Sequence, residues 1–114
     1  MFERPESGER AVLVHINFPD GAGQQDLQEF TELVCSAGAI PVATVTGTRA
    51  VPEPRLFVGQ GKAGEIHAVV KQHEAEVVIF NHSLSPSQER NLERLLSCRV
   101  LARTGLILDI FAQR

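Results

Sequence analysis

Tryptophan and tyrosine are absent from this sequence, and six phenylalanines are its only aromatic residues. It therefore has little stacking surface to offer single-stranded bases. There are only two cysteines, Cys35 and Cys98, both near predicted helix ends. Without a pairing motif they do not make a metal site. A disulfide and a pair of reduced, partly buried thiols are both open readings, and the second suits a cytosolic chain. The longest apolar runs are four or five residues, too short for a membrane-spanning helix. The segment Met1–Glu6 has no apolar centre of the kind a signal peptide needs. Positive charge is not in excess either: eleven Lys plus Arg stand against fourteen Asp plus Glu, a formal net charge of −3. Domains that grip nucleic acid by bulk electrostatics are usually basic, so any such contact here must be local. Neither DNA nor a membrane is expected as a partner, and the expected location is the cytoplasm.

The most informative stretch is Glu76 to Arg103. Val77-Val78-Ile79-Phe80 is short, apolar and rich in β-branched residues, the pattern of a parallel strand covered on both faces. Ser85-Pro86-Ser87-Gln88 then reads as a helix start. The Ser85 side chain can accept from the Gln88 N–H, the Gln88 side chain can reach back, and Pro86 occupies the first helical position. Leu92, Leu95 and Leu96 are predicted to share one stripe of that helix, and Val100-Leu101-Ala102 follows as a second strand. This is a βαβ unit, whose crossover is right-handed in nearly all known cases.

The remainder follows the same rhythm. Residues 1–9 read as a loose tail, and 10–104 as one α/β domain long enough to bury roughly two thirds of its unfolded surface. Ala11–Ile16 is a strand, and a turn cluster at Pro19–Gly23 ends it. A helix capped by Asp26 carries Leu27, Phe30, Leu33, Val34 and Ala37 and closes at Gly38. Pro41–Thr46 is a strand, Gly47–Arg55 a long surface loop, and Leu56–Val58 a possible short strand. Gly59–Gly64 reads as a loop feeding a helix with Ile66, Val69, Val70 and His73 on one face. The expected fold is a single three-layer α/β domain of about four mainly parallel strands with helices on both faces. Residues 105–114 look like the start of a helix leading to a linker that is missing here.

Gly59-x-Gly61-x-x-Gly64 matches the dinucleotide fingerprint by letter, although the acidic residue due about twenty positions on is absent. Two other readings stay open: a tight glycine turn, and backbone N–H groups that cradle a phosphate with the help of Lys62. Gly61-Lys62 is not a P-loop, since Ala63 follows where a hydroxyl residue belongs and Leu56 replaces the first glycine. No G-x-S-x-G elbow accompanies His82-Ser83, and His67 and His73 are six apart, the wrong spacing to share a metal. No catalytic or metal-binding residue is therefore assigned. Asn17, Thr46, Asn81, His82 and Thr104 are expected to gather at the carboxyl edge of the sheet, where α/β folds place ligands. Asp109 sits within the very apolar Leu106–Phe111 stretch.

Three blocks together, Phe57–Lys62, Asn81–Glu93 and Arg103–Arg114, resemble the N-terminal domain of HflX, a family of ribosome-associated GTPases. The resemblance covers the chain from about Arg10 onward. It implies a non-catalytic domain preceding a helical linker and a P-loop GTPase domain, with GTP and Mg2+ bound there and no cofactor here. It also implies a role in binding the large ribosomal subunit, in contact with ribosomal RNA, and in regulating the GTPase. The local basic loop fits that role: Arg49, Arg55 and Lys62 outnumber Glu53 between positions 49 and 62. The expected RNA- or phosphate-binding residues are Arg49, Arg55, Gly59, Gly61, Lys62 and His82. Leu106, Leu108, Asp109, Ile110 and Phe111 are expected to face the GTPase domain. The alternative is a small ATP-binding module with its own site at Gly59–Lys62.

Overall fold

The apolar run Ala11–Ile16 becomes the middle of the sheet in the computed structural model, which describes residues 8–19 and 26–103. It lies within β1 (Arg10–Asn17), and every residue of that run is buried. β1 pairs in parallel with β2 (Ile40–Thr48) on one side and with β3 (Val77–Phe80) on the other. β4 (Arg99–Ala102) pairs in parallel with β3, giving the order β2-β1-β3-β4. The expected parallel α/β sheet is present.

Alternation along the strands divides the core in two. Val12, Val14, Ile16, Val78, Phe80 and Val100 face α2 (Gln60–His73) and α3 (Pro86–Leu96). Ala11, Leu13, Val77, Ile79 and Leu101 face α1 (Leu27–Ser36). The unequal split follows from handedness. The step from β1 to β2 runs one way along the sheet, while β2 to β3 and β3 to β4 run the other. Right-handed crossovers must then place α1 on one face and α2 and α3 on the opposite face. The reversal also leaves a crevice between the carboxyl ends of β1 and β3, where doubly wound sheets receive ligands.

Local chemistry sets the helix ends. Asp26 Oδ1 accepts the Gln28 N–H at 2.7 Å at the start of α1. At α3 the reciprocal cap forms as expected: Ser85 Oγ accepts from Gln88 N at 3.1 Å, and Gln88 Oε1 accepts from Ser85 N at 2.9 Å. Gln88 Nε2 also donates to the Glu53 carbonyl at 3.0 Å, tying the cap to the 53–57 turn. Ser85→Ala is expected to cost about 1 kcal/mol, read as a lower denaturant midpoint at unchanged slope. No loss would show that the cap is idle.

Four expectations change. Leu56–Val58 is not a strand: Glu53 and Phe57 form one isolated antiparallel bridge, and Phe57 has φ +71°. That left-handed conformation cannot continue an extended strand. Gly59–Gly64 is not a loop, because α2 starts at Gln60 with Gly59 as its N-cap, so Gly61 and Gly64 are helical. Leu92 and Leu96 are buried, but Leu95 is turned out and 44% exposed. His73 is exposed at the end of α2 rather than facing the core. The expected turn at Pro19–Gly23 lies largely outside the described residues. So do Thr104, the predicted helix at 105–114 and its contact residues Leu106, Leu108, Asp109, Ile110 and Phe111.

Candidate functional site

Two cations close over the carboxyl end of β2, and glycines let them do so. Lys62 Nζ donates to the Thr46 carbonyl at 2.9 Å and pairs with Glu65 Oε1 at 2.9 Å. Its stem crosses Gly47, where a Cβ would stand 2.9 Å from Lys62 Cε. Arg49 Nε donates to the Val51 carbonyl at 3.1 Å. A Cβ on Gly59 would stand 2.9 Å from Arg49 Nη1, so the guanidinium lies against the start of α2. Gly59 supplies no side-chain cap. The first-turn N–H groups, the positive end of the helix dipole and two cations thus share one edge, an arrangement that suits an anion. The Lys62–Glu65 pair is partly open to solvent, with side chains 26% and 52% exposed, so it contributes little to stability.

Arg49 and Arg55 both act on the Glu53 carboxylate, but only Arg55 faces the neighbouring surface. It lines a groove of about 560 Å³ between α2 and α3, together with Leu56, Gln60, Gly64, Asn91, Arg94 and Leu95. Its carbonyl accepts from Asn91 Nδ2 at 3.0 Å. The turn leading to it is held by Glu53, whose carboxylate accepts the N–H groups of Leu56, at 2.8 Å, and Arg55. Those two bonds hold the Glu53 carboxyl below its ordinary pKa. The basic loop predicted at positions 49–62 is therefore two surfaces. Arg94 and Asn91, which belong to the second, were not singled out by the sequence; their three-residue spacing on a helix was the only available signal.

His82 cannot serve as a phosphate-binding cation. It is 4% exposed, and its Nε2 accepts the Ile16 N–H at 2.9 Å, in line with β1 beyond the end of β3. Phe57 and Phe18 pack against the ring, with centroids at 4.8 and 5.7 Å. Burial above all, with lesser repulsion from His15 and Arg103, pushes its pKa down to about 4. Beside it Asn81 Nδ2 donates to His15 Nδ1 at 2.9 Å, and Arg103 N donates to the His82 carbonyl at 3.1 Å. His15, Asn81 and His82 thus fill the crevice between β1 and β3 with a satisfied buried network. Asn17 Nδ2 reaches the Gly47 carbonyl at 3.4 Å at the same edge.

The glycine pattern does not have dinucleotide-binding geometry. Gly59 follows a turn instead of a sheet strand. Gly64, whose counterpart in the fingerprint packs helix on strand, is exposed, and a Cβ at that position would meet nothing within 4 Å. Cys35 and Cys98 are free thiols, and burial pushes the Cys98 thiol up to about 11.

The fold defines a small doubly wound α/β domain with a parallel sheet of order β2-β1-β3-β4. The chain belongs to the GTP-binding GTPase N-terminal family, whose model matches residues 24–112, and within it to the HflX N-terminal domains. It is 60% identical over 114 residues to the GTPase HflX of Escherichia coli (strain K12), covering all of this chain and 27% of that protein. It is 38% identical over 115 residues to the GTPase HflX of Lacrimispora saccharolytica, again with 100% and 27% covered. The chain thus spans about a quarter of the length of the curated relatives it matches. Among solved structures, that of SsGBP with GDP superposes with a TM-score of 0.71 at 22% identity, over 92% of this chain and 29% of that one. That likeness concerns the fold alone.

Proposed function

We propose that this chain is the non-catalytic docking and regulatory domain of an HflX-type GTPase that works on the large ribosomal subunit. GTP and Mg2+ bind in a separate GTPase domain, and the Leu106–Phe111 stretch, with Asp109, faces that domain. The present domain contacts ribosomal RNA through Arg49, Lys62 and the uncapped start of α2. The observation that carries this reading is the convergence of those three at one edge of an otherwise acidic domain. Phosphate is the anion that RNA presents in a row, and backbone N–H groups with flanking cations hold it without reading sequence.

The test is the Arg49→Ala/Lys62→Ala double variant in a protein of the relatives' full length. Affinity for the large subunit is expected to fall about tenfold or more. Two phosphate contacts fewer should make the log–log salt dependence shallower by about two units. Unchanged affinity and slope would defeat the RNA contact. Saturable ATP binding by the 114 residues, lost with Lys62→Ala, would instead favour the nucleotide module.

A further inference from the structure

The groove between α2 and α3 is lined by neither Arg49 nor Lys62 and has different chemistry. Arg55 and Arg94 line it, no carboxylate does, and neither guanidinium makes an ion pair among the described residues. Leu95 and Leu56 supply an aliphatic wall. Leu95, 44% exposed beside the buried Leu92 and Leu96, leaves apolar surface open to water on α3. The facing side of α2 is bare backbone at Gly64. Glycine in an exposed helix interior costs about 1 kcal/mol relative to alanine. Here a Cβ would meet nothing within 4 Å, so the domain's own packing does not ask for it. Such a gap suits the close approach of something else.

We propose that this groove receives an acidic amphipathic helix of a protein partner. An aliphatic side chain of that helix packs on Leu95 and Leu56 over Gly64, and carboxylates one turn to either side pair with Arg55 and Arg94. Three features select a protein helix over RNA. The lining holds no aromatic ring on which a base could stack. Its apolar part is aliphatic, matching the anchors of helix-in-groove recognition. Finally, two arginines that line the groove with leucine and without a carboxylate in its wall complement carboxylates set one turn to either side of an aliphatic residue on one helix face. Gln60 and Asn91 add amides at the rim, and Asn91 is already fixed by its bond to the Arg55 carbonyl.

A displayed library of helical peptides, panned on the 114-residue chain, tests this. Enriched peptides are expected to share an aliphatic residue with Asp or Glu three or four positions away. Their synthetic forms should bind at least tenfold more weakly to Arg55→Glu/Arg94→Glu and to Gly64→Leu. Gly64→Leu fills the groove with a better helix former in open space, so circular dichroism should not change, and it separates lost docking from lost folding. The Arg49→Ala/Lys62→Ala variant should bind the peptides as before, which keeps this outcome distinct from the RNA contact. Failure to enrich such peptides, or equal binding by Gly64→Leu, overturns the proposal. Tenfold loss of RNA-hairpin binding on Gly64→Leu alone also overturns it, and would assign the groove to nucleic acid.

Discussion

Phe80→Ala is expected to remove about 3–5 kcal/mol of unfolding free energy, a large part of the roughly 5–15 kcal/mol that a folded domain has available. Phe80 is fully buried in β3, between β1 and β4, and its side chain faces the α2–α3 side of the core. It meets the Phe57 ring edge-to-face at 6.1 Å, so truncation leaves a cavity and loses an aromatic pair. It would also undercut Phe57, which is held at φ +71° and packs on His82. With a urea slope of about 1–3 kcal/mol/M, the midpoint should fall by more than 1 M. Leu95→Ala, at an exposed site, should stay within about 0.5 kcal/mol of the parent. A Phe80→Ala loss below about 1 kcal/mol would mean that this side of the sheet is not packed as described.

Stability is expected to fall as pH drops from about 6.5 towards 4, and His82 is the reason. In the fold its Nε2 accepts the Ile16 N–H, so a proton there would set donor against donor. Burial opposes the charge as well, and the pKa falls from about 6.5 unfolded to about 4 folded. Between those values the unfolded chain binds a proton that the folded chain refuses. The sign follows: the contribution is complete above pH 6.5 and shrinks as pH falls to 4, where it is gone. At most it amounts to roughly 3 kcal/mol. His82→Gln can still offer an oxygen to Ile16 but cannot titrate. Denaturant midpoints from pH 4 to 7.5 should therefore slope less for this variant than for the parent. Equal slopes would remove His82 as the cause.

What the sequence made legible was written locally. The Ser85–Gln88 cap, the apolar cores of β1 and β3 and the Asp26 start of α1 need only neighbours along the chain. The HflX likeness was equally visible, in three short blocks of residues. Leu95 was misplaced because helical spacing sets it beside Leu92 and Leu96, and only the position of α2 decides which leucine has a partner. The glycine motif misled because Gly61 and Gly64 are loop residues by local rule, yet a free stretch of α2 tolerates both. Beyond reach were contacts over long separations. His82 accepts from Ile16, 66 residues away. Arg55 and Arg94, 39 positions apart, line one groove, which a basic loop read from neighbouring letters did not foretell.

The order β2-β1-β3-β4 has a consequence for how the domain is made. A ribosome extrudes β1, α1 and β2 first, and these can already assemble, since β2 needs only β1 as a neighbour. α1 would cover Ala11 and Leu13, but Val12, Val14 and Ile16 wait bare on the other face. Their cover, α2 and α3, and the second neighbour of β1 come from residues 60–96. For that interval the nascent chain shows water an apolar strip and the open side of β1, the kind of surface that invites stray pairing. The danger ends when β3 is threaded in beside β1, so the last half of the domain to be synthesised acts as chaperone to the first.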